Sequence, residues 1–357
     1  MKSKVYFSKI RENSTVEEQT EAMKKLCELD DMRTAVSGKG FAAVKIHIGE
    51  KLNVTHIKPE VVKAVTDKVK SFGPYTFLTE TSTLYTGERE NAVKHLMLVQ
   101  AHGFGADKMG VPFIMADGLV GKNEKTAVIN GEINKEVFIS EELHSIYSLI
   151  VISHPTGHIV TGLGATIKNI GMGLASRKGK LRQHSSLKPS VDLVKCRFCK
   201  KCIKSCPENA IIEKDNKALI ITEKCIGCGE CLVECLFDAI VYDFKVDSYK
   251  VQKNMAEHAW GIVKNIKNKC FYFNVMASMT KDCDCYGVAQ EKIIPDIGIL
   301  ASNDPVAVDK AVLDITAEKN GQNLSKLSYP ENDPMIQLLH AEKLGMGSID
   351  YELISVQ

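Results

Sequence analysis

Cys196-Arg-Phe-Cys199-Lys-Lys-Cys202-Ile-Lys-Ser-Cys206-Pro207 is answered 29 residues later by Cys225-Ile-Gly-Cys228-Gly-Glu-Cys231-Leu-Val-Glu-Cys235-Leu236. Both stretches read C-x2-C-x2-C-x3-C, the bacterial-type spacing for a pair of [4Fe–4S] clusters. Three thiolates at i, i+3 and i+6 on a curled loop each reach one iron of a cubane. The fourth, expected at the start of a helix, points away and serves the other cluster. The expected ligand sets are Cys196, Cys199, Cys202 and Cys235 for the first cluster, and Cys225, Cys228, Cys231 and Cys206 for the second. Zinc sites favour two C-x2-C pairs across a longer spacer, and disulfide frameworks belong to small secreted chains, so neither suits this pattern. Leu236 replaces the proline usual after the fourth cysteine, which removes no ligand. The segments behind the two copies also match, Ala210-Ile211 against Ala239-Ile240. Each copy should run helix, turn and short strand, with Asp215-Asn216 at a hairpin tip between Ile211 and Ile221.

Working outward, the module spans about residues 187–244 and interrupts an α/β domain made of residues 1–186 together with 245–357. On the N-terminal side, Ser14-Thr15-Val16-Glu17 reads as a capping box opening a helix that runs to about Asp30. Val44, Ile46 and Ile48 alternate with Lys45 and His47, as in a strand. Pro59 and Gly73 bracket a helix. Tyr75–Thr79, Phe113–Ala116 and Leu149–Ser153 read as strands, and Glu88–His102 as a helix. On the C-terminal side, Asn254–Lys264 reads as helix, Cys270–Met276 as a buried strand and Ile297–Leu300 as a short one. Asn303-Asp304-Pro305 caps a helix, Asp333-Pro334 repeats the device, and Gly345 closes the last helix. The alternation predicts a mixed or parallel sheet flanked by helices, with an inserted α+β ferredoxin-like 2[4Fe–4S] module.

Composition sets bounds. The chain has 357 residues, 44% hydrophobic and 25% charged, which is ordinary for a globular protein with a sizeable core. Its net charge of +2 gives no general case for nucleic acid. The N-terminus lacks the apolar stretch of a signal peptide, and no apolar run approaches the ~20 residues of a membrane span. Twelve cysteines, mostly in cluster spacing, place the chain in a reducing cytoplasm. The oxygen lability of such clusters points to an anaerobic host.

An absence is the second signal. From Leu143 to Val191 there is no Asp or Glu, although 44 acids in 357 residues predict about six in a stretch of that length. The same stretch carries Lys168, Arg177, Lys178, Lys180, Arg182 and Lys188, and His144, His154, His158 and His184. Six glycines lie between Gly157 and Gly179. Glycine permits close backbone approach, and cations with free N–H groups favour anions. Ser153–His184 therefore reads as a binding loop for a carboxylate, a phosphate or an anionic cofactor; a basic docking surface is the alternative. Gly162-Leu-Gly164 lacks the third glycine of a dinucleotide fingerprint, and Gly173–Lys180 has the wrong spacing for a phosphate loop.

Other groups stand near this segment in the expected fold. Thr79-Glu80-Thr81-Ser82-Thr83-Leu84-Tyr85 follows a strand, where open α/β sheets bind ligands, though a capping cluster reads the same way. Asp282-Cys283-Asp284-Cys285 offers a metal site, a thiol redox pair or a pocket lining. Cys27 and Cys270 read as buried apolar residues. Lys195, Arg197, Lys200, Lys201 and Lys204 surround the first triplet, whereas Glu230 and Glu234 flank the second, so the two clusters should differ in potential.

The runs Thr79–Arg89, Ser153-His-Pro-Thr-Gly-His158, Ile167-Lys-Asn-Ile-Gly-Met-Gly173, Asp282–Cys285 and Asp296–Pro305 resemble the "domain of unknown function 362" proteins over nearly the whole chain. The resemblance implies an iron–sulfur protein of anaerobic bacteria or archaea, with no agreed reaction. His154, Lys168 and His184 are also similar, as a scattered set, to the nickel-cofactor lactate racemases. The expected protein is an iron–sulfur electron-transfer enzyme, a ferredoxin-linked oxidoreductase acting on an anionic small molecule. His154, His158 and His184 would handle protons. Lys168, Asn169, Lys178 and Lys180 would bind the anion, and Thr81, Thr83, Cys283 and Cys285 would complete the site. A further metal or anionic cofactor remains open. The expected partner is an acidic redox protein such as a soluble ferredoxin, with no nucleic acid and no membrane. The alternatives are a non-catalytic carrier or adaptor, and a protein that handles clusters or senses redox state.

Overall fold

All seven residues of Cys270–Met276 are buried, which marks a strand covered on both faces. The computed structural model describes residues 2–357 except 37, 86, 185–188, 226–230, 232–233, 238, 242–247 and 267–268. In it this strand is central to an eight-stranded sheet. The strands are β1 (Ser3–Lys9), β2 (Phe41–Lys45), β3 (Tyr75–Glu80), β4 (Phe113–Met115), β5 (Ile146–Ser153), β6 (Cys270–Met276), β7 (Gly298–Ser302) and β8 (Tyr351–Ser355). Their order is β8-β1-β7-β6-β5-β2-β3-β4. Only β7 runs antiparallel to its neighbours β1 and β6; every other pair is parallel. Of the expected mixed or parallel sheet, the mixed form is present, and it is mostly parallel.

Helices cover both faces. One core joins the sheet to the helices Thr166–Gly171, Ser248–Val263, Pro305–Asn320 and Met335–Lys343. The other joins it to Val16–Cys27, Asp30–Val36, Pro59–Ser71 and Ala92–Ala101. Cys27 and Cys270 lie inside these cores, as expected of small apolar residues.

Local signals placed most elements within a few residues. The first helix opens one position later than read: its capping box is Thr15 with Glu18. Asp304 caps Pro305–Asn320 by accepting from Val306 and Ala307. The helix predicted from Glu88 starts only at Ala92, behind an Asn91 cap. The two terminal strands, which pair Ser3 with Tyr351, went unread, as did the hairpin Glu124–Val128 with Glu136–Ser140. Their burial depends on partners far away in sequence.

Parallel pairing sends the chain out of β2, β3, β5 and β6 on the same edge of the sheet. Four loops, residues 46–58, 81–91, 154–165 and 277–297, meet there. Open α/β sheets bind ligands at this edge.

Between β5 and β6, Ser190–Val191 pairs antiparallel with Ile240–Val241. The segment between them holds the hairpin Ile211–Lys214 with Lys217–Ile220. Asp215 and Asn216 form its tip, both with positive φ, as read from sequence. The cysteine segments share a third, separate apolar cluster with Ile211, Ile220 and Ile240.

Candidate functional site

The meeting loops enclose a cavity of about 910 Å³. Its size is typical for a small-molecule site. The walls include Glu80, Thr81, Thr83, Leu84 and Tyr85 after β3, and Ser153, His154 and His158 after β5. They also include Lys168 and Asn169 from the helix Thr166–Gly171, Lys180 and His184 from the end of the acid-free segment, and Cys283–Cys285 after β6. The acid-free segment is thus less a loop than a β-hairpin and two short helices lining one wall.

Of the eleven expected small-molecule site residues, ten line this cavity. Lys178 does not. It turns outward, over the Phe138 ring and 3.7 Å from Glu124, because successive residues of the helix Arg177–Gln183 face different ways. Lys188 and Cys228 lie outside the described residues.

Lining a cavity and being available in it are different things. His154 has both ring nitrogens engaged: Nδ1 lies 2.7 Å from Asp284 Oδ2, and Nε2 lies 2.8 Å from the Ala277 carbonyl. Both partners are acceptors, so the ring donates twice and holds its charge. Burial works against that charge, and the Asp284 carboxylate outweighs it, raising the pKa. His154 is therefore a pin between loops, with both ring nitrogens engaged within the protein. Asn169 is likewise fully used, accepting from Lys45 and donating to Ile152 and Ser153. Thr81 bonds the Gly173 carbonyl and Lys180, and Thr83 bonds the Tyr85 carbonyl. Lys180 also donates to the Ala175 carbonyl, and burial pulls its pKa to about 7.

What remains for a ligand is narrower, and centres on Lys168 and His158. The Lys168 ammonium makes no hydrogen bond or ion pair with the described residues; burial, then the charge of Arg89, lowers its pKa to about 8. His158 Nδ1 accepts from the Thr161 backbone at 3.1 Å. Burial, then the charge of Lys168, holds the ring neutral, so its proton is on Nε2. His184 ends the helix Arg177–Gln183 and is also neutral, with a pKa of about 4 set by burial, then by Lys168. A cation beside neutral imidazoles suits a small anion.

Glu80, Arg89, His47 and Glu50 line the same cavity, and with Lys45 and His95 they form a charge network that the sequence reading missed. Lys45 reaches Asn169 at 2.7 Å and Glu80 at 3.4 Å. Glu80 meets His95 at 2.8 Å and Arg89 at 3.7 Å. Arg89 meets His47 at 3.1 Å and Glu50 at 3.3 Å. Burial opposes the Glu80 charge, and Lys45, His47 and His95 outweigh it, holding the carboxyl well below its usual range. Lys45 ends β2, a strand with buried neighbours on both faces. A charge in that position was the available signal.

Gly164 and Gly173 line the cavity, whereas three of the other glycines in this stretch pack against backbone. A Cβ on Gly157 would strike the Lys281 carbonyl, on Gly171 the Met255 carbonyl, and on Gly179 the Phe138 carbonyl. These glycines let the chain pack on itself rather than on a ligand.

The cysteine module forms a second site. Cys196, Cys199 and Cys202 of the first triplet and Cys235, the fourth cysteine of the second copy, surround one small cavity walled in part by Phe198, Phe237 and Ile240. The crossed ligand set read from the spacing is thus brought together, and four thiols among apolar groups suit an iron–sulfur cluster. The fourth cysteines correspond: Ala210 N–H points at Cys206 Sγ (3.2 Å) and Ala239 N–H at Cys235 Sγ (3.3 Å). Cys206 follows the helix Lys201–Ser205 instead of starting one, so the third cysteine, not the fourth, lies in the helix. Cys206 and Cys225 pack with Cys231 in the module's apolar cluster. Among the described residues no three His, Cys, Asp or Glu side chains converge on a single-ion site. A cubane differs in that each thiolate binds a separate iron. Lys195, Arg197, Lys200, Lys201 and Lys204 are all exposed around the first triplet. Glu234 of the second pairs with Lys122 at 2.7 Å.

No described helix is long and apolar enough to cross a membrane. The family model described as "Domain of unknown function (DUF362)" matches residues 42–314. A stretch of 78 residues, 22% of the chain, is 41% identical to the pyruvate synthase subunit PorD of Methanothermobacter marburgensis and covers 89% of that protein. Among solved structures, the lactate racemase apoprotein of Thermoanaerobacterium thermosaccharolyticum aligns over 76% of the chain at 12% identity, with a TM-score of 0.42. A protein from Thermotoga maritima aligns over 74% at 12% identity, with a TM-score of 0.37. The chain spans about half the length of these solved chains, 50% and 52%.

Proposed function

Because the chain belongs to the DUF362 family, which carries no assigned reaction in its description, we propose its function from its two sites: a cytoplasmic iron–sulfur oxidoreductase that exchanges electrons with a small anion held in the α/β cavity. Residues 187–244 would form a ferredoxin-type domain inserted between 1–186 and 245–357. Cys196, Cys199, Cys202 and Cys235 would hold one [4Fe–4S] cluster, and Cys225, Cys228, Cys231 and Cys206 the other. When bound, these clusters supply one-electron transfer. The kinship of 78 residues to a pyruvate synthase subunit supports a place in redox metabolism.

One residue carries the reading. Leu84 lines the cavity and also packs against the apolar cluster that contains the cysteines. The module therefore abuts the wall of the ligand site. Lys168 binds the anion there, and His158 offers its Nε2 proton. The exposed cations around the first triplet form a surface for an acidic redox protein.

The test begins with anaerobically purified full-length protein. Iron and sulfide content and electron paramagnetic resonance should report two cubanes. The reduced protein is then mixed with a panel of small carboxylates and phosphate esters while cluster absorbance is followed. A compound that reoxidises the clusters in the native protein, but not in Lys168→Ala, is the expected result. Loaded clusters that no anion reoxidises, but an acidic ferredoxin does, would replace the enzyme reading with that of a carrier.

A further inference from the structure

Cys283 and Cys285 both line the cavity and are joined to each other in a disulfide. Their Cα atoms are 5.3 Å apart, within the range for bridged cysteines. The residue between them is fixed: Asp284 accepts from Asn53 and Thr55, each at 3.2 Å, and meets His154 at 2.7 Å. The Glu50 N–H bonds the Asp284 carbonyl at 2.9 Å. A loop held this firmly presents both sulfurs to one place in either redox state. One loop links this disulfide to the module: Leu84 packs against the apolar cluster that contains the cysteines, and the hydroxyl of the next residue, Tyr85, donates to the Cys285 carbonyl at 3.3 Å.

We propose that Cys283 and Cys285 form a two-electron relay between the iron–sulfur module and a small anionic disulfide bound beside Lys168. The proposal rests on the iron–sulfur reading above. Clusters yield electrons singly, and disulfide chemistry needs two. In the first half-reaction the Cys283–Cys285 bond breaks, two electrons arrive from the reduced module, two protons are taken up, and two thiols form. In the second, one thiolate attacks a sulfur of the bound disulfide. The substrate's S–S bond breaks, one half leaves as a thiol, and a mixed disulfide remains. The other cysteine resolves it, restoring Cys283–Cys285 and releasing the second thiol with the second proton. The anionic groups of the substrate pair with Lys168, the cation in the cavity that holds no other partner among the described residues.

The test uses the full-length holoprotein under anaerobic conditions, with a photochemical one-electron donor and iodoacetamide capping. Peptide mass spectrometry reads the two cysteines. Cys283 and Cys285 should be blocked before reduction and carry two caps after the clusters bleach. In Cys199→Ser, which removes a ligand of the first cluster, capping after the same illumination should be lost. Oxidised glutathione, an anionic disulfide, should then be reduced by the native protein. That activity should be lost in Cys283→Ser and in Cys285→Ser, each with an unchanged cluster spectrum. Caps present before reduction, absent after it, or formed equally fast in Cys199→Ser would each overturn the relay while leaving the clusters standing. A holoprotein without iron would overturn both.

Discussion

Asp284 Oδ2 lies 2.7 Å from His154 Nδ1, binding the loop after β6 to the loop after β5 across 130 positions. The pair is buried, and each partner's charge is held by the other: burial opposes both charges, yet the Asp284 pKa is lowered and that of His154 raised. Breaking such a pair from one side typically costs about 3–5 kcal/mol. The His154 contribution is complete below its ordinary value of 6.5 and is lost as pH rises through the raised folded value. That of Asp284 is complete above 3.8 and is lost as pH falls through the depressed one. Asp284→Asn should therefore destabilise most between about pH 4 and 6.5, and less at pH 9. Anaerobic urea unfolding at pH 6 and pH 9 checks this; an equal cost at both would show that the charge of His154 is not part of the pin.

Lys168 should give the cavity a pH-dependent affinity. Its pKa of about 8 leaves it mostly charged at pH 7 and mostly neutral at pH 9. Binding of a small anion such as oxalate should weaken as pH rises. A bound anion stabilises the charged form, so in the complex the loss should come at higher pH than in the free protein. Titration calorimetry from pH 6.5 to 9.5 measures both limbs, and Lys168→Ala should flatten them. A pH-independent affinity would remove Lys168 from the site.

The crossed cysteine set makes a prediction that simple triplets do not. Cys199→Ser and Cys235→Ser alter different copies of the motif but the same small cavity. Both should disturb the same electron paramagnetic resonance signal, and Cys206→Ser should disturb the other. If Cys235→Ser instead matched Cys225→Ser, the crossing would be wrong.

Gly171→Ala should lower stability without touching the ligand. The new methyl would meet the Met255 carbonyl on the helix Ser248–Val263. Overpacking of this kind costs about 1–3 kcal/mol. Thermal unfolding should show it, while anion affinity, measured below the unfolding range, should hold. A lost affinity at full stability would return this glycine to the role of ligand contact.

The sequence by itself determined what local chemistry encodes. Cysteine spacing singled out the four thiols that line one small cavity, because loop curvature and thiolate reach are short-range. Asp215-Asn216 marked a hairpin tip and Asp304 a helix cap, because a left-handed turn and an unpaired helix N–H are satisfied within a few residues. The order of strands and helices gave the sheet its class. Only the tertiary structure decided which polar groups remain available. His154, Asn169 and Thr81 all carried the right chemistry, and all are bonded to residues that folding brings to them, up to 130 positions away. Lys178 and Lys180, two residues apart, face outward and inward because a helix turns about 100° per residue. Lys45 looked like ordinary strand alternation until neighbours on both sides buried it. A side chain's availability is what remains after its long-range partners are counted, and those partners are fixed only when the sheet is assembled.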